Sequence, residues 1–218
     1  MKIDCIIARY NEDINWILEY PFNTFNIICY NKGLPISENV MYNNCKIVSL
    51  ENIGLEVHTY LYHIITQYDN LADITLFVPG NCMSVVHKKN YTTSLIEKML
   101  KTQNTVLQGH IINNLQDLLY NFQLEEYKLN PLIQSPIRPY GTWFNTYFKN
   151  SNAIKILGYW GIFAIAKDHI IQHPKEYYQN LIETVNKSSN PEAAHYMERS
   201  WGAVFYPYPE SCIHSYIF

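Results

Sequence analysis

Three short segments of this chain are apolar almost without interruption, and they restrict its fold more than any other feature. They are Ile3-Asp4-Cys5-Ile6-Ile7-Ala8, Phe25-Asn26-Ile27-Ile28-Cys29-Tyr30 and Asp73-Ile74-Thr75-Leu76-Phe77-Val78. A strand with one wet face alternates apolar and polar residues. A strand that is apolar at nearly every position is covered on both faces, as in a parallel sheet sandwiched by helices. Lys46-Ile47-Val48-Ser49-Leu50 reads as a further short strand, and residues 158–166 as a late one. Residues 14–20 have helical spacing, with Asn11 or Asp13 available as N-cap. Between 54 and 68 apolar residues recur at helical period, at Val57, Leu61, Ile64 and Ile65.

Further helices are expected over 92–101, over 174–185 with Pro174 at the first position, and over 192–204. Pro131, Pro136 and Pro139 mark a loop-rich excursion around an irregular stretch at 124–135. Residues 187–191 form an exposed loop, and the aromatic tail from 206 to 218 is expected to lie across the surface. The β-α-β-β-α-β order of the first half predicts a doubly wound α/β fold, with a mostly parallel sheet of about six strands flanked by helices. No repeat or low-complexity linker divides the chain, so residues 1–218 are read as one domain.

Composition excludes several classes. Only 16% of the residues are charged, the net charge is -3, and no basic run is longer than Lys88-Lys89. That argues against nucleic acid as a partner. No stretch approaches the roughly 18 apolar residues of a membrane span, and no secretory signal is legible, so a cytoplasmic location is expected. The five cysteines, an odd number without a CxxC pair, read as free thiols in a reducing compartment. The 19 tyrosines suit a sugar- or base-binding surface, although an excess of Asn, Ile, Lys and Tyr also fits an AT-rich genome.

In open α/β sheets, ligands bind beyond the carboxyl ends of the strands. Four loops qualify: 8–13, 30–33, 50–56 and 78–82. Helix starts near Ile14 and Gly54 could offer amides to phosphate oxygens, with Arg9 and Lys32 as neighbouring cations. The bland alternative is that these are solvated strand-end loops. Neither GxGxxG nor a Walker-A sequence occurs, which disfavours a dinucleotide dehydrogenase or a P-loop NTPase.

These loops carry a recurring set of motifs: Ala8-Arg9-Tyr10-Asn11-Glu12-Asp13, Tyr30-Asn31-Lys32-Gly33, the run from Asn52-Ile53-Gly54-Leu55-Glu56 through His58-Thr59-Tyr60-Leu61, and Tyr68-Asp69-Asn70-Leu71-Ala72-Asp73. Gly161-Ile162-Phe163-Ala164 and Glu198-Arg199-Ser200-Trp201 follow late in the chain. The set resembles a domain family of long-unassigned function found in fungi, bacteria and large DNA viruses. That family looks like a branch of the GT-A glycosyltransferases, and its viral members are similar to enzymes that build capsid glycans from UDP-sugars. The resemblance implies a GT-A-like fold and a UDP-sugar donor, with a glycan or glycoprotein as acceptor. A uridine diphosphate would lie against Ala8, Arg9, Tyr10, Glu12, Lys32 and the loop of Val78, Gly80 and Asn81. In the host of a virus the location would be the host cytoplasm.

The sequence departs from that pattern twice. Leu55 stands where the family commonly has an arginine. The end of the fourth strand reads Val78-Pro79-Gly80-Asn81-Cys82, where most GT-A enzymes place an Asp-x-Asp on Mn2+ or Mg2+. Asn81 offers one neutral oxygen, a poor ligand for a hard cation.

Glu198 is the candidate catalytic carboxylate, since many inverting GT-A enzymes deprotonate the acceptor from an acidic residue on a late helix. The alternative is a helix glutamate paired with Arg199 or a lysine. His214 resembles the C-terminal histidine that GT-A folds often return to the metal, or is simply polar surface. His58 and His63 read as structural, and His110, His169, His173 and His195 lack metal-ligand spacing. Trp143, Phe144, Tyr147, Tyr159 and Trp160 read as core, with stacking on a sugar as the alternative. Cys82 has no partner arrangement that would make it a nucleophile. Beside the transferase, a non-catalytic nucleotide- or glycan-binding module and a phosphate-ester or nucleotide hydrolase remain open.

Overall fold

The computed structural model describes residues 1–36, 44–112, 132–149 and 156–216. Its main sheet has five strands: β1 Ile3–Arg9, β2 Asn26–Asn31, β3 Cys45–Ser49, β4 Ile74–Pro79 and β7 Phe163–Ala166. Their order is β3-β2-β1-β4-β7. The first four run parallel and only β7 is antiparallel, against β4. A separate three-stranded sheet holds β5 Leu107–Ile111, β6 Ile156–Leu157 and β8 Ile213–Ser215, in the order β6-β5-β8.

The apolar runs are buried on both faces, as their composition predicts. In β1, Ile6 and Ala8 join one hydrophobic cluster and Cys5 and Ile7 the other. In β4, Phe77 faces the first cluster while Leu76 and Val78 face the second. Period two therefore sorts each strand between two cores. Helix α1 Leu55–Gln67, α5 Lys175–Ile182 and α6 Glu192–Val204 cover the first core. Helix α2 Val86–Thr102 covers the second with Tyr91, Leu95, Ile96 and Met99. Two further helices complete the chain in the described residues, α3 Tyr140–Tyr147 and α4 Lys167–Ile171.

Several expectations are corrected. Residues 14–20 do not make an α-helix but a four-residue 3-10 turn, Asn15–Leu18, followed by a second at Phe22–Thr24. Pro21 follows too closely for an α-helix to propagate, because the residue before a proline is pushed out of the α region. The N-cap is Ile14, not Asn11 or Asp13, although Asp13 Oδ1 accepts the Asn15 amide at 2.8 Å. Helix α2 starts six residues ahead of the expected Thr92. The late strand expected over 158–166 is shorter, confined to β7 at Phe163–Ala166, and β6 precedes it at Ile156–Leu157. The chain turns between them at Trp160 and Gly161, both in the left-handed region at φ +62° and +63°. Pro174 caps α5 rather than opening it. The tail lies largely at the surface as expected, but it is anchored there: β8 pairs in parallel with β5, Leu107 level with Ile213, and Cys212 is buried. Trp143 and Phe144 are core residues of α3, and Tyr147 packs on Trp143 with ring centroids 5.1 Å apart. This segment is part of the first core. Most of the expected irregular stretch, 124–131, lies outside the described residues.

Candidate functional site

The strand order defines where a site can lie. From β1 the chain builds outward through β2 and β3, then returns to place β4 on the other side of β1. The loops after β1 and β4 thus diverge at a topological switch point, the usual position of a ligand crevice in such sheets. Register sets them level: Ala8 lies beside Tyr30 on one flank and Pro79 on the other. A cleft of about 630 Å3 opens there, within the size range of small-molecule sites.

Of the expected donor-side residues, Ala8, Arg9, Tyr10, Glu12, Lys32 and Asn81 line this cleft, and Glu198 lines it from α6. Val78 and Gly80 do not. The Val78 side chain is buried in the second core. The Gly80 amide donates to the Ala8 carbonyl at 2.8 Å, and its carbonyl accepts Trp16 Nε1 at 3.1 Å. Pro79 lines the cleft between them.

Arg9 and Lys32 are engaged in holding the loops. Arg9 donates from Nε to the Glu12 carbonyl at 2.8 Å, and from Nη1 to Asn31 Oδ1 at 2.6 Å and the Leu34 carbonyl at 3.1 Å. One guanidinium thereby ties the loop after β1 to the loop after β2. Gly33 permits the same junction, since a Cβ on it would stand 1.7 Å from the Tyr10 carbonyl oxygen. Lys32 donates from Nζ to the carbonyls of Ile53 and Leu55, 2.5 Å each, bracing the left-handed turn that leads into α1. Burial lowers its ammonium to about 8, with Glu56 opposing the shift.

The carboxylates come from distant parts of the chain. Glu198 accepts the Trp160 amide at Oε1, 2.7 Å, and Arg199 Nη1 at Oε2, 3.2 Å. Glu56, in the first turn of α1, lines the same cleft. Burial pushes its carboxyl up to about 7, and the neighbouring Glu198 adds to the shift while Lys32 and Lys88 oppose it. The left-handed turn at Trp160 and Gly161 sits against both acids. Trp160 binds Glu198, and a Cβ on Gly161 would lie 2.9 Å from Glu56 Cγ. A tryptophan in that backbone conformation costs about 1–3 kcal/mol, so the turn is held by its surroundings. The Trp160 ring packs on His87 and Tyr91, at centroid distances of 5.0 and 5.3 Å.

His195 reaches the cleft from α6, its Nε2 2.9 Å from Asn190 Oδ1. Burial first, then the adjacent Arg199, brings its imidazole down to about 4, so it is neutral at pH 7. Lys88 completes the lining, donating from Nζ to Asn81 Oδ1 at 2.9 Å.

A divalent cation does not fit the end of β4. The strand end offers Pro79, Gly80 and Asn81; the Asn81 side-chain oxygen already accepts from Lys88, and the one carboxylate against Gly80, Glu12, already accepts the Tyr10 amide at Oε2. Among the described residues no group of three or more His, Cys, Asp or Glu could hold a metal. His214 is not on the cleft. It lies on β8 level with Gln108, and burial lowers its imidazole. Cys82 is buried, and its thiol is pushed far above the ordinary range by that burial.

Residues 5–217 match the family described as "Protein of unknown function (DUF3431)". The chain belongs to this family. No curated protein matches it. Among solved structures it is similar to S. aureus TarS, residues 1–349, with 11% identity and a TM-score of 0.37 over 85% of this chain and 56% of that one. The chain therefore spans just over half of that structure, a likeness too slight to bear on its chemistry. No helix among the described residues is long and apolar enough to cross a membrane.

Sequence reasoning about this DUF3431 chain located the strand-end loops and Glu198, offered Trp160 only as an alternative to a core role, and missed four lining residues: Lys88, Ser189, Asn190 and His195. Asn190 and His195 had a legible cue, because they flank the start of α6, two turns and one turn from Glu198. Trp160 was legible as an aromatic but not as a lining residue, since its place depends on a left-handed backbone turn that nothing local demands.

Proposed function

We propose that this protein is a glycosyltransferase that moves a sugar from a nucleoside diphosphate, UDP most of all, to a hydroxyl of a glycan or protein. The observation that supports it is one cleft at the switch point that joins cationic strand-end loops to a pair of glutamates. In this reading the bond between the anomeric carbon and the diphosphate oxygen breaks, and the oxygen keeps the electron pair. The acceptor oxygen bonds to the anomeric carbon, and its proton passes to a carboxylate.

Glu198 is that carboxylate. Its two oxygens are fixed by Trp160 and Arg199, so its position is set before the acceptor arrives. Glu56 is its proton-sharing neighbour, matched to proton transfer near neutral pH by its raised pKa. Ala8, Tyr10 and Glu12 frame the nucleotide, with Trp160 available to stack on a ring.

The test is a thermal-denaturation screen with UDP, GDP, CMP and their sugars. A true donor at 100 times its dissociation constant adds about 2.7 kcal/mol of stability. Stabilisation by one nucleotide and its sugar, followed by detection of transfer to a hydroxyl acceptor, supports the reading. No stabilisation by any of them overturns it, and release of free sugar or phosphate without transfer would make the protein a hydrolase.

A further inference from the structure

The cations of this cleft are not equivalent. Arg9 holds two loops together, and Lys32 is bound to two backbone carbonyls. Lys88 is different: the one hydrogen bond of its ammonium among the described residues goes to the neutral amide oxygen of Asn81, at 2.9 Å. An ammonium has three N–H donors, so the partner neither cancels its charge nor exhausts its donors. Among the described residues Lys88 forms no salt bridge. It lies in the first turn of the 17-residue α2, where the helix dipole is positive. Asn81 stands two residues beyond the end of β4, the strand beside the switch point.

We propose that the Lys88 ammonium, oriented by Asn81, neutralises the departing diphosphate in place of a divalent metal ion. This inference rests on the nucleotide-sugar reading above. It also explains the residues at the end of β4. An Asp-x-Asp there would pair with Lys88 and consume its charge, whereas an asparagine holds the side chain by dipole alone. Lys88 then meets the phosphate oxygens as a fixed point charge and stabilises the negative charge that builds on the leaving oxygen.

The experiment is calorimetric titration of uridine, guanosine and cytidine diphosphates into the full chain, once in excess EDTA and once in Mn2+. The proposal expects one nucleotide to bind with the same affinity, within about twofold, in both buffers. K88Q should weaken that binding about ten- to a hundredfold, the range of a charge-assisted hydrogen bond. K88R should recover much of the loss, and urea denaturation should show both variants folded. Binding that requires Mn2+, or K88Q binding like the wild type, overturns the proposal while leaving the nucleotide reading intact. No diphosphate binding in either buffer overturns both.

Discussion

The two sides of the cleft are built on different principles. The loops after β1 and β2 form a frame closed by near neighbours in the sheet: Arg9, Glu12, Asn31 and Gly33 satisfy one another's backbone and side-chain groups. The acidic side is assembled over long sequence distances, with Glu56, Trp160 and Glu198 meeting from three elements. The frame spends its polar groups on itself and is rigid. The acidic side brings two carboxylates into one cleft, Glu198 paired with Arg199, and carries a backbone conformation that local sequence opposes. A site needs both: a scaffold that does not move, and groups whose chemistry is left unquenched.

Substitutions can separate the two. The largest effect is expected at Glu198. Replacement E198Q preserves an oxygen for the Trp160 amide, so folding and donor binding should persist while transfer slows by about 10²–10⁴-fold. A steady-state assay with the donor identified by the screen measures this. Unchanged turnover would move the proton-accepting role to Glu56.

Alanine at the two pivotal glycines compares the sides directly. G33A drives a Cβ into the Tyr10 carbonyl oxygen, and both partners are backbone. It should cost about 3 kcal/mol, the upper end for overpacking, as read by urea denaturation. G161A meets the flexible Cγ of Glu56 and a left-handed backbone, for about 1–2 kcal/mol. It should also shift the pH dependence of transfer, because it displaces Glu56. If G161A proved as costly as G33A, the acidic side would be as rigid as the frame.

The smallest effect lies in pH. Glu56 titrates near 7 in the fold, above its usual 4.5, so the native state binds more protons than the unfolded chain between those values. Its contribution to stability therefore increases as pH falls from about 7 to 4.5. His58, His63 and His195 act the other way. Burial lowers them to about 4, 3 and 4, so the unfolded chain binds the extra protons below 6.5 and stability declines as pH falls. The opposed slopes flatten the profile between 4.5 and 6.5. E56Q removes one of them and should raise stability at pH 8 and steepen the acid decline, measured by denaturation at a series of pH values. An unaltered profile would show that Glu56 is not held protonated by its surroundings.

The sequence announced the sheet because burial on both faces leaves a mark at every strand position, as in residues 3–8 and 73–78. It announced the frame because a ligand loop must follow a parallel strand. It could not announce that Arg9 and Lys32 are engaged with backbone carbonyls, since any exposed cation looks available until its partners are placed. The late start of β7 was hidden for a related reason. Residues 158–166 are apolar throughout except at a turn made by Trp160, a residue whose local preference is against it. The 3-10 turns at 15–24 were obscured because three or four residues of helical spacing fit either helix type.

Trp160 gives the cleft an optical property. The other three tryptophans, Trp16, Trp143 and Trp201, are buried in the two cores, and their emission is insulated from anything entering the site. Trp160 alone among the four lines the cleft. Whatever occupies that space changes the polarity and quenching around one indole, so the unlabelled protein carries its own fluorescence signal of occupancy, which W160F would silence.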